Sequence, residues 1–204
     1  MAVLKSVRYG AWAGVLILML ALAALGLGWW RVDGPGAPAR PVPTAVADIG
    51  GSFQLVDHTG RSLTDADFRG RPAAVFFGFT YCPEVCPTTL FELSKYLDQL
   101  GAAGERLQVL FVTVDPERDN PEQLALYLQS FNPRIVGLTG TPEQVSKALA
   151  AYKAYAKKVP TESGYTMDHT ASVFLMGSDG RFRSMIDYHE AESSALAKLR
   201  LLLQ

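Results

Sequence analysis

The 204-residue chain has little cysteine: Cys82 and Cys86 are the whole inventory. A disulfide-rich scaffold is therefore excluded, and the absence of Cys-x-x-Cys-His excludes covalent haem attachment. Histidine is almost as scarce, limited to His58, His169 and His189. No excess of one charge exists either. The formal net charge is -1, and no basic stripe interleaves with aromatics, so nucleic acid is not an expected partner. Internal repeats and charge runs are also missing, which leaves one ordinary domain plus an appendage.

What is abundant is concentrated at one end. Ala11 to Trp30 is an uncharged run rich in Leu and Ala. As a helix it would span roughly 30 Å, about the hydrocarbon thickness of a bilayer. Lys5 and Arg8 precede it, and Trp29 and Trp30 close it, as expected of a positive inner flank and an aromatic interfacial belt. The alternative is a cleavable signal peptide, whose apolar region is usually about 7–15 residues. Both readings export the rest of the chain. Residues 1–10 are then a cytoplasmic N-terminus and 11–30 a single-pass membrane anchor. Residues 31–48, with Pro35, Pro38, Pro41 and Pro43, form a semi-rigid linker. A globular domain is expected over 49–204.

Within that domain, Phe53–Val56 and Arg61–Leu63 flank a turn at Gly60 and predict a hairpin. Ala73–Phe79 and Leu107–Val114 read as strands buried on both faces. Leu90, Leu93, Leu97 and Leu100 recur at helical spacing, predicting a helix over Pro87–Leu100. Asn120-Pro121-Glu122-Gln123 opens a helix to about Phe131, and Thr141-Pro142-Glu143 opens another to about Ala156. Ile135–Leu138 is a short strand. Ser172–Met176 and Phe182–Asp187 bracket a Gly-Ser-Asp-Gly turn, and Ala191–Leu203 is a closing helix. This order, with a cysteine pair opening the first helix, predicts an α/β thioredoxin-like fold with a mixed central sheet flanked by helices.

The chemistry lies in Thr80-Tyr81-Cys82-Pro83-Glu84-Val85-Cys86-Pro87. Each cysteine precedes a proline, which biases both away from the α region and suggests a tight loop. Cys86 is then expected as the N-cap of a helix begun by Pro87, with its thiol pKa lowered by the helix dipole. Three readings are open: a structural disulfide, a redox dithiol, and a metal site. A disulfide closing so small a loop constrains the unfolded chain little. A metal site needs a third ligand. His58 sits in a turn and His189 in a polar link, whereas His169 immediately precedes a buried strand, on the loop that faces the cysteines in a thioredoxin-like sheet. Two thiolates and an imidazole suit cuprous copper, with cupric copper as the alternative; structural zinc wants a fourth ligand, for which Asp168 is a weak candidate. Asp115, Glu117, Arg118 and Asp119 read as a solvated loop and helix cap, with a docking patch as the alternative. Phe79 and Tyr81 read as core and rim.

Gly78 to Leu90, with its Cys82-Pro83-Glu84-Val85-Cys86-Pro87 centre, resembles the signature of the SCO/SenC family of copper-binding assembly proteins. Asp115 to Glu122, Tyr127 and Asp168-His169-Thr170 are similar to further blocks of that family, in the right order. The resemblance implies that Cys82, Cys86 and His169 hold one copper ion. It also implies maturation of the binuclear copper centre of cytochrome c oxidase, by copper transfer, thiol reduction, or both. The expected partners are the copper-bearing subunit of that oxidase and a periplasmic copper donor or thiol reductant. The chain is thus expected to be a metallochaperone more than an enzyme, with Cys82 and Cys86 also a redox-active pair. The short stretch before the anchor leaves no room for a transit peptide, so the expected location is a bacterial inner membrane with the domain in the periplasm.

Overall fold

A computed structural model describes residues 12–25 and 48–204. Residues 12–25 form a helix, α1, whose large apolar side chains are exposed, among them Trp12, Leu16, Ile17 and Leu20. At about 1.5 Å per residue the described part is roughly 21 Å long. No helix among the described residues is long and apolar enough to cross a membrane. Both ends of the expected 11–30 anchor, and the linker before Asp48, lie outside the described residues.

Residues Ala45–Gln204 gather into one compact unit. Its strands are β1 (Gln54–Asp57), β2 (Ser62–Thr64), β3 (Ala73–Gly78), β4 (Gln108–Thr113), β5 (Ile135–Thr139), β6 (Ala156–Thr161), β7 (Gly164–His169), β8 (Val173–Met176) and β9 (Phe182–Ile186). Its helices are α2 (Val85–Gly104), α3 (Pro121–Leu128), α4 (Pro142–Tyr152) and α5 (Glu192–Leu202). Seven strands make the sheet in the order β2-β1-β5-β4-β3-β8-β9. The centre, β5-β4-β3, is parallel, and the flanking strands are antiparallel. This is the mixed thioredoxin-like sheet that the sequence predicts.

Burial explains the centre. All six β3 residues are buried, as are Val109 to Thr113 of β4, so both faces of these strands are covered. Leu90, Leu93, Leu97 and Leu100 of α2 are buried, as their spacing requires. That helix kinks at Gly101, whose φ of 52° is open to a residue without Cβ. Asn120 accepts the Gln123 N–H, capping α3 as expected, although the helix ends at Leu128 and not near Phe131. Thr141 and Gln144 form the reciprocal capping box of α4.

One expectation fails here, and one element has no counterpart in the sequence reading. Helix α4 stops at Tyr152, where Lys153 takes a left-handed conformation, and does not reach Ala156. The chain then forms a two-stranded hairpin, β6–β7, outside the main sheet. Its residues are half-buried or exposed, and Lys157, Lys158 and Pro160 lower its strand character. A Ser163-Gly164 turn between Val159 and the alternating Tyr165 and Met167 is the one local signal for it.

Candidate metal centre

The central strand β3 delivers the chain to the site. After Gly78 it turns, with the Cys82 N–H donating to the Phe79 carbonyl at 3.3 Å. Phe79 is buried and Tyr81 exposed, so the first belongs to the core and the second to the rim. Helix α2 begins at Val85, with Glu84 at the N-cap position but making no side-chain cap bond. Cys86 is therefore the second helical residue and not the N-cap. Proline has no N–H, and the first helical turn leaves its N–H groups unpaired in any case. Pro87 is thus tolerated inside that turn, and the helix starts before it.

The capping bond is made by the other sulfur. Cys82 Sγ accepts the Cys86 backbone N–H at 3.4 Å. The expected assignment of the low-pKa thiol is reversed accordingly. The Cys86 thiol beside it is the main cause that holds Cys82 well below the ordinary thiol range, to about 4; burial opposes the shift, and His169 and the Cys86 and Glu84 amides add to it. Cys86 is fully buried, and the neighbouring Cys82 sulfur together with burial pushes its thiol up. The reduced pair is therefore one thiolate and one neutral thiol.

His169 is the last residue of β7. Its Nδ1 lies 2.9 Å from the Thr170 carbonyl, which can only accept, so Nδ1 is a donor and Nε2 is the ring atom turned to the sulfurs. Nε2 lies 3.6 Å from Cys86 Sγ. The ring packs edge-on against Phe79, with centroids 5.6 Å apart, and against Phe76 at 6.3 Å. Ligand atoms of Cys82, Cys86 and His169 all lie within 4.8 Å of one another. In a trigonal site, ligand atoms each up to about 2.3 Å from one ion lie at most about 4.0 Å apart, so closing on a metal needs a shift of under about 1 Å. The donor set is soft and three-coordinate, which fits cuprous copper better than zinc.

The remaining candidates stay apart. His58 Nδ1 accepts the Gly137 N–H at 3.1 Å, and His189 stacks on Tyr188. Asp168 is exposed on β7, and among the described residues it does not join the ligand group.

Several supporting residues carry no signal in the linear sequence. A Cβ at Gly78 would sit 2.8 Å from Cys86 Sγ and 2.7 Å from the Phe111 ring, so glycine makes the room for that sulfur. Asp119 and Asp115 are buried, not solvated. One Asp119 oxygen accepts the Thr80 hydroxyl at 2.6 Å; the other accepts the Thr80 N–H at 3.0 Å and the Thr113 hydroxyl at 2.7 Å. This carboxylate ties the start of the cysteine loop to the end of β4. Burial pushes its pKa up, and the bonds from Thr80 and Thr113 only partly offset that. Its place among Glu117, Arg118 and Asn120, all charged or polar, hides the burial.

The SCO1/SenC family profile matches residues 42–204. The chain is 36% identical over 204 residues to the mitochondrial SCO2 homolog of Mus musculus, covering 92% of this chain and 77% of that one. It is 32% identical over 191 residues to SenC of Rhodobacter capsulatus, covering 93% and 85%. Among solved structures, Bradyrhizobium japonicum ScoI with copper bound superposes with a TM-score of 0.71 at 46% identity, over 76% of this chain and 99% of that one.

Proposed function

The chain belongs to the SCO1/SenC family, and from that premise we propose that it is a membrane-anchored copper carrier that matures the binuclear copper centre of cytochrome c oxidase. The observation that carries this reading is the convergence of Cys82 Sγ, Cys86 Sγ and His169 Nε2 within 4.8 Å. These three hold one copper ion, as cargo, and Cu+ is the oxidation state that suits them. The copper-bound ScoI relative supports the assignment. Cys82 is only partly buried and Cys86 lies beneath it, so the ion is reached from the Cys82 side.

Thiol redox state sets the affinity. With both sulfurs reduced, Cys82 is already a thiolate ligand, and Cys86 becomes the second by giving up its proton as the ion binds. When this thiolate–thiol pair gives two electrons and its one proton to a partner disulfide, the partner becomes a thiolate and a thiol, the Cys82–Cys86 bond forms and neither sulfur remains a thiolate ligand. The domain, from about residue 49, works in the periplasm of a bacterium, held to the inner membrane by a helix at 11–30 through a proline-rich linker.

The test is titration of the reduced, detergent-solubilised full chain with Cu+, beside His169→Ala. The wild type takes up one equivalent, and the variant binds weakly. Equal stoichiometry and affinity in the two would remove His169 from the site.

A second reading is a thiol-disulfide oxidoreductase that reduces cysteines of a partner. The asymmetry of the pair supports it: Cys82 is accessible enough to attack a disulfide, and the buried Cys86 is placed to resolve the mixed intermediate. Complementation separates the two. Full oxidase assembly with His169→Ala would favour the reductase, whereas loss of assembly favours copper carriage.

A further inference from the structure

His169 reaches the sulfurs from a hairpin that has no partner in the main sheet. Something else must hold that hairpin in place, because His169 is its terminal residue and any tilt moves the imidazole. The structure puts one side chain at the junction. Arg118, in the β4–α3 connection, donates from Nε to Asp115 and from Nη1 to the Tyr165 carbonyl of β7, the latter at 3.1 Å. Its guanidinium carbon lies 3.8 Å from the centroid of the Tyr165 ring, 4.7 Å from that of Tyr81 and 5.9 Å from that of Phe79. Tyr81 precedes Cys82, and Phe79 packs on His169 itself. The Tyr165 hydroxyl closes the circle by donating to Asp115 at 3.0 Å.

One cation thus joins the hairpin, the cysteine loop and the loop after β4. Its Nη2 is buried and has no hydrogen-bond partner among the described residues. A guanidinium that leaves a donor unpaired is held by its stacking and its two directed bonds, and those fix its position. Lys158 also pairs with Glu117 and lies with its Nζ 4.2 Å from the Tyr165 centroid, but Lys158 and Glu117 are both about half exposed and such contacts contribute little.

We propose that Arg118 is a positioning residue, clamping the β6–β7 hairpin onto the cysteine loop and so setting the reach of His169 to the two sulfurs. The proposal rests on the copper-carrier reading for its consequence, but the clamp itself is measurable without metal.

The experiment uses the reduced full chain in detergent, as wild type, Arg118→Ala, Arg118→Lys, Tyr165→Phe and the control Lys158→Ala. The metal-free readout is the nuclear Overhauser effect between protons of the His169 and Phe79 rings. The loaded readout is Cu+ affinity by competition with a chelator. In Arg118→Ala the ring-to-ring signal is expected to vanish and copper to bind about 10–100-fold more weakly, the range for residues that orient a ligand. Arg118→Lys keeps a cation over the rings without the paired bonds and falls between. Tyr165→Phe keeps the ring but drops the Asp115 bond, and shows a smaller decline; Lys158→Ala matches wild type. A full ring-to-ring signal in Arg118→Ala would overturn the clamp. A vanished signal with copper affinity unchanged would overturn the positioning role. If Arg118→Ala does not fold, Arg118→Lys and Tyr165→Phe decide by the same criteria. Should the wild type bind no copper, the carrier reading fails while the ring-to-ring signal still judges the clamp.

Discussion

Two buried aspartates, one in the β1–β2 turn and one behind the cysteine loop, show how differently the two regions are built. Asp57 is enclosed by local donors: the Thr59 N–H and hydroxyl, the Arg61 N–H and the Arg61 guanidinium. Burial alone would raise its pKa, but these bonds outweigh it and hold the carboxyl at about 2. Asp119 is equally buried and accepts hydrogen bonds from Thr80 and Thr113, yet among the described residues no cation touches it, and its pKa moves up. Arg118, one residue away, is turned to Asp115 and the hairpin instead. The turn is a closed, self-satisfied unit. The site end keeps buried polar groups short of full satisfaction, including Arg118 Nη2 and the Tyr127 hydroxyl. Such groups lower stability and are retained where a site must be shaped.

The largest effect should come from Gly78→Ala. The added methyl collides with Cys86 Sγ and Phe111, which should cost about 1–3 kcal/mol and displace the sulfur. Urea unfolding and Cu+ titration of the variant check both effects. A stability loss with copper affinity intact would mean that glycine serves packing alone.

Next is Asp57→Asn, expected to lower stability at neutral pH by about 1–2 kcal/mol without touching copper binding. The full shift corresponds to about 2.5 kcal/mol, reduced here because its Arg61 partner is 70% exposed and screened. The pH dependence follows from the depressed value. The contribution is complete above the unfolded pKa near 3.8 and is lost as pH falls through about 2. Wild-type unfolding free energy should therefore drop between about pH 4 and pH 2, and that drop should flatten in the variant.

Asp119→Asn should cost less stability than Asp57→Asn at neutral pH, and should disturb copper binding more. Its sign is opposite. A raised carboxylate pKa makes the folded protein hold the proton more tightly, so stability falls as pH rises from 3.8 through the folded value. Urea midpoints measured upward from about pH 4 should show that decline in wild type and not in the variant. Equal stability losses in the two variants would erase the distinction between turn and site. The smallest effect belongs to Lys158→Ala, whose exposed pair with Glu117 should leave the unfolding midpoint unchanged.

Much of this architecture can be read along the chain. The β1–β2 turn announces itself through Asp57, Thr59 and Gly60, residues whose side chains or backbone close the turn locally. The caps of α3 and α4 are read from Asn120, Pro121, Thr141 and Pro142 for the same reason. The β6–β7 hairpin is harder to see, because Lys157, Lys158 and Pro160 carry no strand periodicity and its support comes from Arg118, well before it in the chain. The three proposed ligands are read from the sequence, His169 mainly through family resemblance. Which cysteine is the thiolate cannot be.

Sequence by itself determined the thioredoxin-like order of elements, the cysteine pair after the central strand and the apolar N-terminal run, because each depends on neighbours within a few residues. Only the tertiary structure decided that Cys82 Sγ accepts the Cys86 N–H, that Asp119 is buried with no cation against it among the described residues, and that Arg118 joins hairpin to loop. The carboxylate and the guanidinium meet partners distant in the chain, and the sulfur meets an N–H four residues on that depends on how the loop folds back onto the helix start. Pro87 illustrates the boundary: its presence near the helix start follows from local rules, but whether the helix begins before or after Cys86 depends on which sulfur reaches the free N–H groups.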